Sequence, residues 1–117
     1  LYLTFQPIVD LGTGRILTFE ALLRWTHPDY GAISPDEFIP VAEESGLITA
    51  LGHWVLEEAC SQAKRWQRLG LGAFRVAVNV SPLQFLNPGF FGSVLGALSK
   101  SALAPEYLEL ELTENVM

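Results

Sequence analysis

Apolar and polar residues alternate with a period of two in three stretches of the chain, the spacing of strands with two different faces. In residues 15–25 one face carries Ile16, Thr18, Glu20, Leu22 and Arg24; the other carries Leu17, Phe19, Ala21, Leu23 and Trp25, all apolar. In residues 74–80, Phe74, Val76, Val78 and Val80 oppose Arg75, Ala77 and Asn79. In residues 106–114, Leu108, Leu110 and Leu112 oppose Glu109, Glu111 and Thr113, with Glu114 just beyond. Residues 1–9 also read as a strand. Pro7 within them places that strand at a barrel edge or sheet margin, because proline cannot donate to a hydrogen-bond ladder. The turn cluster at 10–14, Asp-Leu-Gly-Thr-Gly, then joins the first two strands as a hairpin.

Elsewhere the apolar step lengthens to three and four. Ile48, Leu51, Val55, Ala59, Ala63 and Trp66 form one stripe of a helix over 48–69, with Lys64, Arg65 and Arg68 in its last turns and Gly70 after it. Ser34, Pro35 and Glu37 mark an earlier helix start: an N-cap, a first helical residue and the third position of a capping box. Pro40 is expected to kink that helix and Gly46 to end it. Ser81-Pro82 repeats the start signal, and Asn87-Pro88 repeats it before an apolar helix that needs a covering neighbour and runs to around Ser99. Residues 26–33 read as a loop whose His27, beside Pro28, is expected in solvent rather than on a metal. His53 and Cys60 read as packing residues of the long helix.

After the hairpin the order is helix, strand, helix, strand. That alternation predicts an α/β fold with a parallel sheet and covering helices. Parallel strands are buried on both faces and are usually apolar throughout. Here Glu20, Asn79 and Glu111 each stand late in a strand, where a barrel of alternating strands and helices carries its catalytic or ligand-binding groups. A charge on a half-buried strand is costly unless paired or bound to a metal; the alternative is a solvated outer face. Two Glu and one Asn supply only oxygen ligands, which favours a hard cation such as Mg²⁺ or Mn²⁺ over zinc or copper. Gln6 is the only long polar side chain of the first strand and serves either a backbone group or a ligand.

Composition narrows this picture. Half of the 117 residues are hydrophobic, 17% are charged and the net charge is −6. A general nucleic-acid surface needs a basic patch, so binding to a DNA or RNA duplex is not expected. The lone Cys60 gives no disulfide framework and points to a reducing compartment. No apolar run approaches the ~18 residues of a membrane span, and no signal peptide is visible. Leu1 lies inside a strand-like run and Met117 follows another, so both ends read as cut from a longer domain.

Glu20-Ala21-Leu22 with Leu23-Arg24-Trp25, then Asn79-Val80-Ser81, then Glu111-Leu112-Thr113-Glu114, in this order and separation, resemble the EAL domain family. Gln6-Pro7-Ile8 and the stretch from Phe38 to Leu47 fit the same pattern, so the resemblance covers essentially the whole chain. It implies a TIM-barrel-like fold present in part: residues 1–117 as the N-terminal half of a single domain, with the C-terminal half absent from this chain, since such a barrel takes ~250 residues. It implies a cyclic di-GMP phosphodiesterase yielding linear pGpG with two Mg²⁺ or Mn²⁺ ions. Glu20, Asn79 and Glu111 would be metal ligands, Glu20 and Glu111 thereby catalytic. Arg24 would hold a substrate phosphate, Gln6 would lie near a guanine edge, and Glu114 would anchor a later loop. The family's paired Asp, Lys, later Glu and late Gln have no counterpart here, so residues 1–117 alone are expected to be inactive. A homodimer, attached sensor or diguanylate cyclase domains and a cytoplasmic location, alone or as part of a membrane-anchored protein, are further implications. The alternative is an EAL-type receptor or interaction module that binds the dinucleotide without cleaving it.

Overall fold

The computed structural model describes residues 1–112, so the expectations for Thr113 and Glu114 lie outside the described residues. The strands are β1 (Tyr2–Val9), β2 (Ile16–His27), β3 (Gly31–Ile33), β4 (Arg75–Val80) and β5 (Leu108–Leu112). The helices are α1 (Pro35–Ser45), α2 (Ile48–Arg68), α3 (Pro82–Leu86) and α4 (Phe90–Ser101), and a 3₁₀ turn at Pro105–Tyr107 leads into β5. The sheet order is β1-β2-β4-β5, with β3 paired to the far end of β2. β1 runs antiparallel to β2 with Gln6 opposite Glu20; β4 runs parallel to β2 with Ala77 beside Glu20; β5 runs parallel to β4 with Glu111 beside Asn79. Pro7 is accommodated because β1, among the described residues, has a strand partner on one side only.

The period-two pattern becomes a two-faced sheet. Ala21, Val76, Val78 and Val80 turn toward α2 and α4 and form one core with Val55, Leu56, Ala59, Cys60 and Ala63 of α2 and Ala97 and Leu98 of α4. Small residues at 59, 60 and 63 let α2 lie close on the sheet, and Leu56 fills the gap with no exposed surface. Burying that one side chain contributes about 2 kcal/mol. At the other end of α2, Trp66 packs on Phe5 and Phe19 with ring centroids 5.3 and 4.8 Å away, closing the core beneath the hairpin.

Cys60 sits inside this core, and burial pushes its thiol up to about 11. The folded state holds it neutral while the unfolded chain ionises near the ordinary thiol value of 9.0. Its contribution to stability is therefore complete below the unfolded value and is lost as pH rises toward 11. Native protein at pH 8 is expected to resist iodoacetamide and to be alkylated only in denaturant. Equal labelling rates in both states would contradict this placement.

Several local expectations are corrected. Residues 26–33 are a second hairpin: β2 continues to His27, and Trp25–His27 pair with Gly31–Ile33. His27 is half-buried rather than in solvent, because its Nδ1 accepts the backbone N–H groups of Asp29 (3.0 Å) and Tyr30 (3.3 Å) and caps the turn. Ser34 does cap α1, but its Oγ accepts from the N–H of Asp36 rather than Glu37. As expected, Pro40 lies inside this helix and Gly46 ends it, with a φ of 83° that a side chain would disfavour. Asn87 closes α3, and its side chain accepts from Gly89 N–H, so α4 starts later than Asn87-Pro88 suggested. Cys60 is a packing residue, but His53 is not: it is exposed, with Nδ1 on Ser93 Oγ (2.9 Å) and Nε2 on Glu57 (2.8 Å). Lys100 of α4 reaches the same Glu57 at 2.7 Å, so a polar clasp ties α2 to α4 outside the core.

Candidate active site

The face of the sheet turned away from α2 and α4 carries the polar set. Register puts Tyr2, Thr4 and Gln6 of β1 on that face with Glu20, Leu22 and Arg24 of β2, with Ala77 and Asn79 of β4, and with Glu109 and Glu111 of β5. Four of the sequence-derived residues thus gather from four strands: Gln6 lies directly opposite Glu20, and Asn79 lies directly beside Glu111. Asn79 stands two residues beyond the one that flanks Glu20, and its Nδ2 crosses diagonally to donate to Glu20 Oε2 at 3.2 Å. That bond joins two of the proposed ligands directly and leaves the Asn79 carbonyl oxygen to point elsewhere.

The charges are unbalanced. Burial first, then the charge of Glu20, then that of Glu109, push the Glu111 carboxyl above the usual carboxylate range. Neither Glu20 nor Glu111 makes an ion pair among the described residues, whereas Glu109 is met by Arg75 at 3.7 Å. Two carboxylates that repel each other, with an amide oxygen alongside, are a donor set that a hard divalent cation suits. Among the described residues no three His, Cys, Asp or Glu side chains form a metal-binding group. The fit therefore rests on two acids and an amide, with the rest of a coordination shell to come from elsewhere.

Arg24 is held a full turn of the pleat away. Its Nε donates to Thr4 Oγ1 at 3.1 Å, and Tyr2, its cross-strand partner, hydrogen-bonds Thr26 at 3.1 Å. The terminal guanidinium nitrogens form no ion pair among the described residues, so the fork end is presented for an incoming anion. Thr4 escaped sequence reading because a Thr in a strand carries no distinguishing signal; only register brings it beneath Arg24. A cleft of about 560 Å³ opens at the same end of the sheet, lined by Leu22, Arg24, Asn79 and Ser81 and walled by Asp36, Ile39 and Glu43 of α1. It does not include Glu20 or Glu111, which lie on the open face beside it.

Ser81 and Gln84 were missed as a pair. Ser81 Oγ accepts from Gln84 N–H at 3.2 Å and Gln84 Oε1 accepts from Ser81 N–H at 3.4 Å, a reciprocal cap that sets the turn leaving β4. The S-x-x-Q spacing was the available signal.

The EAL domain model matches residues 1–117. The chain belongs to the EAL domain family. The bifunctional diguanylate cyclase/cyclic di-GMP phosphodiesterase MucR of Pseudomonas aeruginosa is 46% identical over 115 residues, which are 98% of this chain and 17% of MucR. The solved MucR phosphodiesterase in complex with c-di-GMP superposes with a TM-score of 0.92 at 46% identity, covering 97% of this chain and 46% of that one. The FimX EAL domain of Xanthomonas citri, solved in complex with c-diGMP, gives a TM-score of 0.80 at 27% identity, covering 97% of this chain and 43% of that one. The chain thus spans under half of these solved domains and less than a fifth of MucR. The fold is the α/β, TIM-barrel-like EAL fold, represented in part. No helix among the described residues is long and apolar enough to cross a membrane.

Proposed function

We propose that this chain supplies the first half of the site of a cyclic di-GMP phosphodiesterase, and that the product is linear pGpG. The observation that carries the reading is the meeting of Glu20, Asn79 and Glu111 on one sheet face, with Asn79 bonded to Glu20 and Arg24 held ready by Thr4. Glu20, Asn79 and Glu111 would hold Mg²⁺ or Mn²⁺, which when bound activates water and neutralises charge on phosphorus oxygens. The side chains have separable tasks. Glu20 and Glu111 offer carboxylate oxygens, and the bond from Asn79 fixes the Glu20 rotamer. Arg24 draws a phosphate into a protein of net charge −6 and orients it through the guanidinium fork. Gln6, across from Glu20, lies where it can reach a guanine edge, and Glu114 anchors a loop of the completed domain. Cytoplasmic placement and a dimer of completed domains accompany the reading.

The test is turnover of cyclic di-GMP by the full-length gene product with Mg²⁺ or Mn²⁺, alongside Arg24→Lys. Lysine keeps the charge but loses both the Thr4 bond and the fork. The expected result is about tenfold weaker binding of cyclic di-GMP, measured in Ca²⁺, where hydrolysis is expected to be suppressed, since a charge-assisted hydrogen bond is worth roughly 1.5–3 kcal/mol. An unchanged dissociation constant would remove Arg24 from the substrate site. Tight binding by the wild type with no turnover in any divalent metal would favour the receptor reading.

A further inference from the structure

Gly52 lies in the second turn of α2 and lines the far wall of the cleft that Arg24, Asn79 and Ser81 border. Its helical φ places no demand on glycine, and alanine there would ordinarily strengthen a helix. The demand comes from space. A Cβ on Gly52 would overlap the Nε2 and Cδ atoms of Gln84, whose amide lies in the slot that the missing side chain leaves. Gln84 is only 6% exposed and Ser81 only 8%, so neither can swing into solvent without opening the packing between α2 and α3. The amide in that slot accepts the N–H of Ser81, the Ser81 hydroxyl accepts the N–H of Gln84, and the Ser81 carbonyl accepts the N–H of Phe85 at 2.9 Å. These bonds fix the backbone two residues after Asn79.

We infer that Gly52 is a positioning residue for the metal site: by leaving room for Gln84 it sets the β4–α3 turn, and through that turn the placement of Asn79 against Glu20. The inference rests on the reading of Asn79 as a metal ligand. The inference assigns Gly52 and Gln84 no contact with the ion, so the effect is read in affinity for the ion and in the geometry of one ligand.

The experiment is Mn²⁺ binding by calorimetry, without substrate, on full-length protein carrying Gly52→Ala, Gln84→Ala or both. Residues that orient metal ligands typically account for 10–100-fold in affinity. Gly52→Ala is expected to weaken Mn²⁺ binding about tenfold. Gln84→Ala alone, which removes the obstructed side chain and should fold, is expected to do the same. The double variant is expected to match Gln84→Ala, because the three atoms nearest to the added Cβ all belong to the side chain that Gln84→Ala removes. Wild-type Mn²⁺ affinity in both single variants overturns the inference while leaving the phosphodiesterase reading intact. So do additive losses in the double variant, which would show Gly52 acting by another route. Absence of Mn²⁺ binding and of turnover in the wild type would instead sink the reading on which the inference stands.

Discussion

Glu20→Ala is expected to lower metal-dependent hydrolysis of cyclic di-GMP by on the order of a thousandfold while the domain stays folded. The magnitude follows from a bound metal's several kcal/mol of transition-state charge stabilisation, at about 1.4 kcal/mol per tenfold. The fold should survive because Glu20 lies on the open face, outside the core that α2 and α4 make with the sheet. Its loss costs one hydrogen bond from Asn79 and relieves the repulsion that helps raise Glu111. Thermal unfolding should therefore change little, and cyclic di-GMP should still bind through Arg24. Turnover by Glu20→Ala at the wild-type rate would overturn the assignment, and a collapsed melting temperature would show that Glu20 serves the fold instead.

Residues 1–117 produced alone are expected to be catalytically silent and to self-associate. Three candidate ligands cannot saturate two hard cations that each want about six oxygens. Exposure supplies the second half of the argument. Among the described residues β5 has a strand partner on one side only, with Leu110 and Leu112 of that strand 41% and 53% exposed. Phe91 and Leu95 of α4 are 70% and 50% exposed and add to the apolar surface. An unpaired edge beside an apolar face is a template for a second copy. Light scattering and a turnover assay on the same sample check both halves. A monodisperse monomer that hydrolyses cyclic di-GMP would mean that the site is completed within this chain.

Periodicity by itself determines much of the architecture. Strand residues i and i+2 must share a face, so Glu20 with Arg24, and Glu109 with Glu111, were bound to lie together once these runs were strands. The stripe from Ile48 to Trp66 likewise had to be a helix burying one side, and α2 buries Val55, Leu56, Ala59, Cys60 and Ala63. The motifs themselves carried the family. Short-range chemistry was harder to read: nothing in residues 26–33 announced that a histidine ring would cap a tight turn and let β2 pair with β3, because that bond exists only when the turn has closed.

What tertiary structure alone decided is which faces meet. Sequence spacing along a strand says nothing about the register between strands, and the register brings Asn79 beside Glu111 and diagonal to Glu20. The same holds for Thr4 beneath Arg24, twenty residues apart, and for Gln84 in the slot over Gly52. The contacts within the sheet depend on the spacing and register of the backbone ladders, whereas the Gln84–Gly52 contact depends on α2 and α3 docking at one separation. Local pattern fixes the direction in which a side chain points; only the close packing of the whole core fixes what it points at.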